Sequence, residues 1–315
     1  MSRGFISELI RVTSAYHCFE APPVGMFDFF FGGSKGSKGG KRAAMKRWDL
    51  RGRTGQGSMS KVYQAYDNEL GRTVCLKILD KVKAKKFEER FKGLKKPSEG
   101  EICIQFNHTN CVRTYEYGVI NGTNEPYLVL EWIEGLGLNY LVETKNKQLE
   151  GARKNYLGQL ADGLQYMHDN KWLHRDLCPR NIMVNAEGIL KIIDFGLTIP
   201  YTPPFCVPGN RTGTSDYLAA ELVRRRTTDH RVDLYALGVT AFEVYTFALP
   251  WERTANSEEN FRRRMNQAPR DPRELNKRID DATFKFLMKG IGKEPHERFQ
   301  TAGEFKEALD KLKEM

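Results

Sequence analysis

The sequence predicts an α+β chain of two lobes, a small antiparallel β-sheet with one helix followed by a larger, mainly helical part. Three observations lead there. Between Leu50 and Trp132, short apolar and β-branched runs alternate with turn residues, the pattern of paired strands. After Gly135, apolar residues recur at helical spacing. With 315 residues and 40% hydrophobic content, the chain can bury one large core or two modest ones without disulfides or a structural metal.

Taken in order, residues 31–47 (FGGSKGSKGGKRAAMKR) combine Gly, Ser and Lys in the manner of a flexible linker, so 1–47 reads as a basic tail and a boundary falls near Trp48. Within that tail the aromatic stretch GMFDFFF from Gly25 to Phe31 reads either as a docking segment or as a sticky end. Residues 48–132 form the first lobe. KVYQAYD and TVCLKIL are strands bounded by Asn68 and Gly71, a helix follows around Glu99 to Phe106, and the runs Val112–Val119 and Tyr127–Trp132 flank the turn INGTNEP as a hairpin. Residues 133–315 form the second lobe. Tyr156, Leu157, Leu160, Ala161, Leu164 and Met167 mark a long helix, and NIMVN and ILKII are short strands joined by AEG. A Pro- and Thr-rich loop spans Thr198 to Asp216. DLYALGVTAFEVYTF, Asp233 to Phe247, is apolar on nearly every face, as a central buried helix is. Thr301 and Glu304 suggest a capping box opening a last helix that carries Phe305, Leu309 and Leu312 on one stripe.

The formal charge of +10 has a location: Lys35, Lys38, Lys41, Arg42, Lys46 and Arg47 share one short stretch without an acid. Much of the excess therefore belongs to the tail, which suits an acidic partner or surface and implies no specific nucleic-acid site. Six scattered cysteines without a CxxC pair exclude a zinc finger and suit a reducing, cytoplasmic compartment. No apolar run approaches the roughly eighteen residues of a membrane span, and no secretory leader is evident.

Chemistry concentrates in three places. GQGSMSKV places Gly55, Gln56, Gly57 and Ser58 in a turn whose backbone amides can approach phosphates closely, a weak signal alone. Lys77 ends the apolar run VCLK, and a buried lysine needs an acid; Glu99 is the candidate and Glu101 its rival. In HRDLCPRN and IIDFG, Asp176 and Asn181 lie in a loop leading into a strand, and Asp194 begins the turn after the next strand. That hairpin brings Asn181 and Asp194 to one mouth, where carboxylate and amide oxygens suit magnesium and Asp176 can take the proton of an incoming hydroxyl.

These runs together resemble the eukaryotic-type protein kinases over residues 50–315, GQGSMSKV as the Gly-rich loop, VCLK as the strand lysine, HRDLCPRN as the catalytic loop and DFG as the metal-binding turn. The resemblance implies the bilobal kinase fold, ATP and Mg2+ as the working pair, and protein substrates. It implies Lys77 on the α/β-phosphates with Glu99 as partner, Asp176 as catalytic base, and Asn181 and Asp194 on magnesium. LVLEWIEG matches the hinge, which implies Leu130 as gatekeeper, adenine bonded to the backbones of Glu131 and Ile133, and Val62, Cys75 and Met183 around the ring. GTSDYLAAE resembles the end of an activation segment of the serine/threonine branch; Asp233 would brace the catalytic loop, Arg298 would pair with Glu221, and Arg175 would offer a phosphorylated Thr212 its pocket. Three positions depart from the family pattern: Ser60 replaces a glycine, Ala220 replaces a proline, and Cys178 stands where a lysine is usual, with Arg180 as the candidate to supply its charge. The rival readings are a pseudokinase scaffold, a tyrosine or dual-specificity kinase, and a binding protein driven by the basic tail.

Overall fold

The computed structural model describes residues 41–56, 60–91, 93–209 and 212–314. Gly57, Ser58 and the aromatic stretch 25–31 lie outside the described residues.

The first lobe is built from β1 (Lys41–Ala43), β2 (Trp48–Gln56), β3 (Ser60–Asp67), β4 (Arg72–Leu79), the helices α1 (Lys81–Glu88) and α2 (Glu99–Cys103), and then β5 (Thr114–Ile120) and β6 (Pro126–Glu131). Its sheet runs β1-β5-β6-β4-β3-β2. Gly71, at φ 63°, makes the tight return between β3 and β4, a backbone geometry that costs a side chain most and glycine least. Period-two alternation then gives β4 two faces. Val74, Leu76 and Ile78 enter an outer cluster with Ala65, Tyr127 and Val129, while Cys75 and Lys77 face inward.

Three local expectations are corrected. The stretch 41–47 is not wholly linker: β1 pairs in parallel with β5, Lys41 opposite Gly118 and Ala43 opposite Ile120, and Arg47 is 7% exposed. The strand forms because Gly118 has no side chain; a Cβ there would lie 1.9 Å from the Lys41 carbonyl oxygen. The helix α1, hidden in a run of lysines, starts because the Asp80 side chain accepts the Val82 and Lys83 amides. It buries Phe87, which packs with Phe91 against Leu173, Ile199 and Phe205. Finally, α2 stops at Cys103 rather than Phe106, because the amides of Gln105 and Phe106 turn to the carbonyls of Ile102 and Cys103 in tighter i→i−3 bonds.

The second lobe comprises β7 (Gly135–Gly137), α3 (Leu138–Glu143), α4 (Arg153–Asp169), β8 (Trp172–Leu173), β9 (Ile182–Asn185), β10 (Leu190–Ile192), β11 (Ile199–Pro200), α5 (Ala220–Val223), α6 (Arg231–Thr246), α7 (Ser257–Asn266), α8 (Pro272–Leu275), α9 (Asp281–Gly290) and α10 (Ala302–Asp310). As its sequence predicts, α6 is buried almost all round, Arg231 and Glu243 excepted. Residues of α4, α6 and α10 share the main core. At α10 only half the expected capping box forms: Thr301 accepts the Glu304 amide, but the Glu304 carboxylate takes the Gln300 amide and Lys289.

Candidate active site

Strand β4 delivers Lys77 to the inner face of the sheet, and α2 delivers Glu99 to meet it. Lys77 Nζ lies 2.6 Å from Glu99 Oε1 and 3.0 Å from Asp194 Oδ1. The rivalry between the two acids is decided by local geometry, since Glu101 turns back to accept the Ser98 amide and close the N-terminal capping box. Helix α2 can come this close because Gly100 lies flat on Tyr117 of β5, where a Cβ would meet the ring at 2.6 Å. Burial disfavours the Lys77 ammonium, yet Asp194 and Glu99 outweigh it and hold the group charged well above its usual range. Burial pushes Glu99 up, with Lys77 pulling the other way. For Asp194 burial also pushes up, but Lys77 and the Gly196 amide win and keep it below the usual carboxylate range. Its side chain is 43% exposed, against 10% for Glu99, so Asp194 still has an open face.

Around this ion pair, Val62 stands opposite Lys77 and Cys75 opposite the proposed gatekeeper Leu130. Gly55 and Gln56 pair with Val62 and Lys61 at the start of the turn. Burial pushes the Cys75 thiol up to about 11. The Glu131 amide is taken by the Arg113 carbonyl at 2.9 Å, and its carboxylate accepts the Arg113 amide and Lys191. Ile133 is buried, and Met183 on β9 is half-buried opposite Gly137.

Below, the catalytic-loop residues are held from several sides. Asp176 Oδ1 accepts the Thr214 amide at 2.6 Å, and Oδ2 accepts Asn181 Nδ2 at 3.1 Å. Asn181 Nδ2 also bonds the Asp176 carbonyl, while the Asn181 carbonyl accepts the Ile193 amide beside Asp194. The hairpin thus ties Asn181 to Ile193, the residue before Asp194, by one backbone bond. Arg175 sits at φ 70°, unusual for a side chain this large. The Asp233 carboxylate stabilises that turn: Oδ1 accepts the Arg175 amide at 2.8 Å, and Oδ2 accepts the His174 amide at 2.8 Å beside His168 Nε2 at 3.1 Å. Burial pushes Asp233 up, but these hydrogen bonds and the two histidines keep it low.

The departures from the family pattern have physical places. Cys178 is 1% exposed, with Sγ 3.7 Å from Thr214 Oγ1, and burial pushes its thiol up to about 11, so it is neutral. Arg180 is exposed in the single turn Pro179–Asn181. Glu221, despite the alanine before it, receives a bidentate pair from Arg298 at 2.7 and 2.8 Å. The guanidinium expected to receive a phosphate is already engaged: Arg175 is 5% exposed and Nη1 donates to Thr228 Oγ1 at 3.2 Å. Two features escaped the sequence reading, the double grip of Thr214 on Asp176 and Cys178, and the bond from Tyr217 to Glu243. Burial pushes Glu243 up to about 7, against the pull of that bond.

Among the described residues no helix is long and apolar enough to cross a membrane, and Cys75, Cys103, Cys111, Cys178 and Cys206 are free. Comparison with known proteins agrees with the geometry. A family model described as the protein kinase domain matches residues 48–311. The chain is 28% identical over 282 residues to the serine/threonine-protein kinase PksC of Streptomyces coelicolor, covering 86% of this chain and 50% of that protein. It is 32% identical over 214 residues to an Aurora kinase of Saccharomyces cerevisiae, covering 67% and 56%, and 30% identical over 257 residues to an Aurora kinase of Yarrowia lipolytica, covering 76% and 66%. It spans half or less of the length of three bacterial relatives it matches.

Proposed function

From the premise that this chain belongs to the eukaryotic-type serine/threonine protein kinase family, we propose that it transfers the γ-phosphoryl group of ATP, with magnesium, to serine and threonine hydroxyls of other proteins in the cytoplasm. The observation that carries this reading is Lys77 Nζ bridging Glu99 and Asp194 while Asp176 and Asn181 stand bonded to each other in the loop below.

Each residue then has a task. The Lys77 ammonium, kept charged by its two acids, orients the α/β-phosphates. Gly55, Gln56, Gly57 and Ser58 supply amides over the phosphates, Val62, Cys75 and Met183 enclose the adenine, and the backbones of Glu131 and Ile133 bond its edge. Since the Glu131 amide is already taken by Arg113, its carbonyl is the group left for the adenine amine. Asn181 has its amide nitrogen committed to Asp176, which leaves Oδ1 as the oxygen for a metal, with the open carboxylate of Asp194 as the second ligand. Two such oxygens suit magnesium, which neutralises phosphate charge when bound. Asp176, oriented by Thr214 and Asn181, accepts the substrate hydroxyl proton. The neutral Cys178 thiol cannot add charge at the transferring group, and the replacement charge is assigned to Arg180, two residues on. A pseudokinase scaffold is disfavoured because Lys77, Asp176, Asn181 and Asp194 are all present.

The test is incubation of the purified chain with labelled ATP, magnesium and a generic basic protein, followed by identification of the modified amino acid. Phosphoserine and phosphothreonine, lost in Asp194→Asn and Lys77→Met while both variants stay folded, are expected. Phosphotyrosine would move the chain to another branch, and equal label in wild type and Asp194→Asn would refute the metal assignment.

A further inference from the structure

The segment before the family match at Trp48 is neither tail nor linker from Lys41 onward. Arg47 is buried among acids that come from distant parts of the first lobe. Its Nε and Nη2 donate to Asp67 at 2.9 and 2.7 Å, and Nη1 donates to Glu116 at 2.6 Å. The side chains of Arg47, Asp67 and Glu116 are 4%, 0% and 7% exposed. Trp48 Nε1 donates to Asp67, while Tyr127 OH and Lys41 Nζ donate to Glu116. Such density of charge in a dry place is costly unless every member is paired, and here one arginine serves both carboxylates.

This cluster lies with Trp48 and Tyr127 on the outer face of the sheet, opposite the face that carries Lys77, yet two connections lead from it to Lys77 and Glu99. Glu116 neighbours Tyr117 on β5, and Tyr117 supports Gly100 and hence Glu99. Across the sheet, Tyr117 stands opposite Leu128 and Leu128 opposite Lys77, so one rank of residues joins the support of Glu99 to its ion-pair partner. Without β1, β5 would be the edge of this sheet. With it, β5 is paired on both sides, and Trp48 packs its ring 4.9 Å from Tyr127 in the next rank. Helix α2 has 5 residues and depends on what lies beneath it.

We propose that residues 41–48 are a working part of the nucleotide lobe and that Arg47 is a positioning residue, fixing β5 so that Tyr117 and Gly100 hold Glu99 against Lys77. The inference rests on the reading of Lys77 and Glu99 as the phosphate-binding pair. It predicts that the first lobe orders itself around a segment that, Trp48 apart, the family match leaves out.

The experiment uses the full chain. Wild type is first titrated with ATP and magnesium, by turnover and by nucleotide-dependent thermal shift; if it neither binds nor turns over, the kinase reading fails and Arg47 is not at issue. With an active wild type, Arg47→Met is expected to raise KM for ATP and lower kcat, together about tenfold or more in kcat/KM. Loss of fold alone is controlled in two ways. Leu309→Ala, in the core of the other lobe, lowers the melting temperature but should leave KM for ATP unchanged. The triple variant Arg47→Met/Asp67→Asn/Glu116→Gln removes the stranded charges, so it should recover melting temperature while KM for ATP stays high. Arg47→Met with wild-type KM and kcat would overturn the proposal. So would a triple variant in which KM for ATP returns to the wild-type value along with stability, because that is the behaviour of a role in folding only.

Discussion

Replacing Asp233 with asparagine isolates the brace behind the catalytic loop. The carboxylate is 1% exposed and accepts three hydrogen bonds, one on Oδ1 from the Arg175 amide and two on Oδ2 from the His174 amide and His168. Asparagine has the same outline but one acceptor oxygen. If that oxygen keeps the two-bond side, its NH2 group is left pointing at the Arg175 amide, donor against donor. Losing one charge-assisted bond and leaving a buried donor unpaired costs about 2–3 kcal/mol. Arg175 at φ 70° is the residue released, and a backbone in that region carries about 1–3 kcal/mol of strain of its own. The loop should then relax, and Asp176, the next residue, should move with it. A displacement near 1 Å at a reacting group lowers rates by about a hundredfold. The expected result is therefore a kcat lower by about ten- to a hundredfold, with KM for ATP little changed because Lys77 and Glu99 belong to the other lobe. Steady-state kinetics with varied ATP and varied protein substrate, alongside a melting curve, measure both. A wild-type kcat in a variant that melts several degrees lower would refute the brace, since it would separate Asp233 from Asp176.

Arg180→Ala should lower kcat by about tenfold or more if its charge stands in for the lysine that Cys178 displaces, with partial recovery in Arg180→Ala/Cys178→Lys; unchanged turnover in the single variant would leave Asp176 and the metal to act alone. Arg298→Met strands the buried Glu221 carboxylate and should cost about 3–5 kcal/mol in denaturant unfolding, whereas a loss under about 1 kcal/mol would show that the pair is not needed for stability. Glu243 is pushed up by burial to about 7, above the usual carboxylate range, so the fold favours its protonated form. Its contribution is fully present below the unfolded value and is lost as pH rises to about 7. Glu243→Gln, which keeps an acceptor for Tyr217, should therefore gain melting temperature relative to wild type between pH 5 and pH 8, and a constant difference across that range would refute the assignment.

Motif residues were legible because the chemistry constrains their order along the chain. HRDLCPRN and DFG flank one hairpin, and the β9 to β10 turn between them is short enough to read. Helix α6 was legible for a different reason, because burial on all faces leaves a continuous apolar run. The lysine-rich stretch before Phe87 hid α1, whose stability comes from the Asp80 cap and from aromatic contacts to a loop more than a hundred residues away. Arg47 read as one more tail cation, since its partners are separated from it by 20 and 69 positions and only the folded sheet brings them together. Thr214 was legible as part of GT, but its grip on Asp176 and Cys178 depends on a loop crossing that periodicity does not encode.

The close approach of Lys41 to Gly118 also offers a way of sorting other chains of this kind. Any side chain at the second position of that pair would occupy the space of a backbone carbonyl, so the additional strand is open only to sequences with glycine there. An acid two residues earlier, in the place of Glu116, would mark those that also bury an arginine from the preceding segment. Those two letters, read at the start of the hairpin strand, separate relatives able to recruit their leading residues into the sheet from relatives whose leading residues must go elsewhere. A fragment cut at the family boundary would be expected to behave well in the second group and poorly in the first.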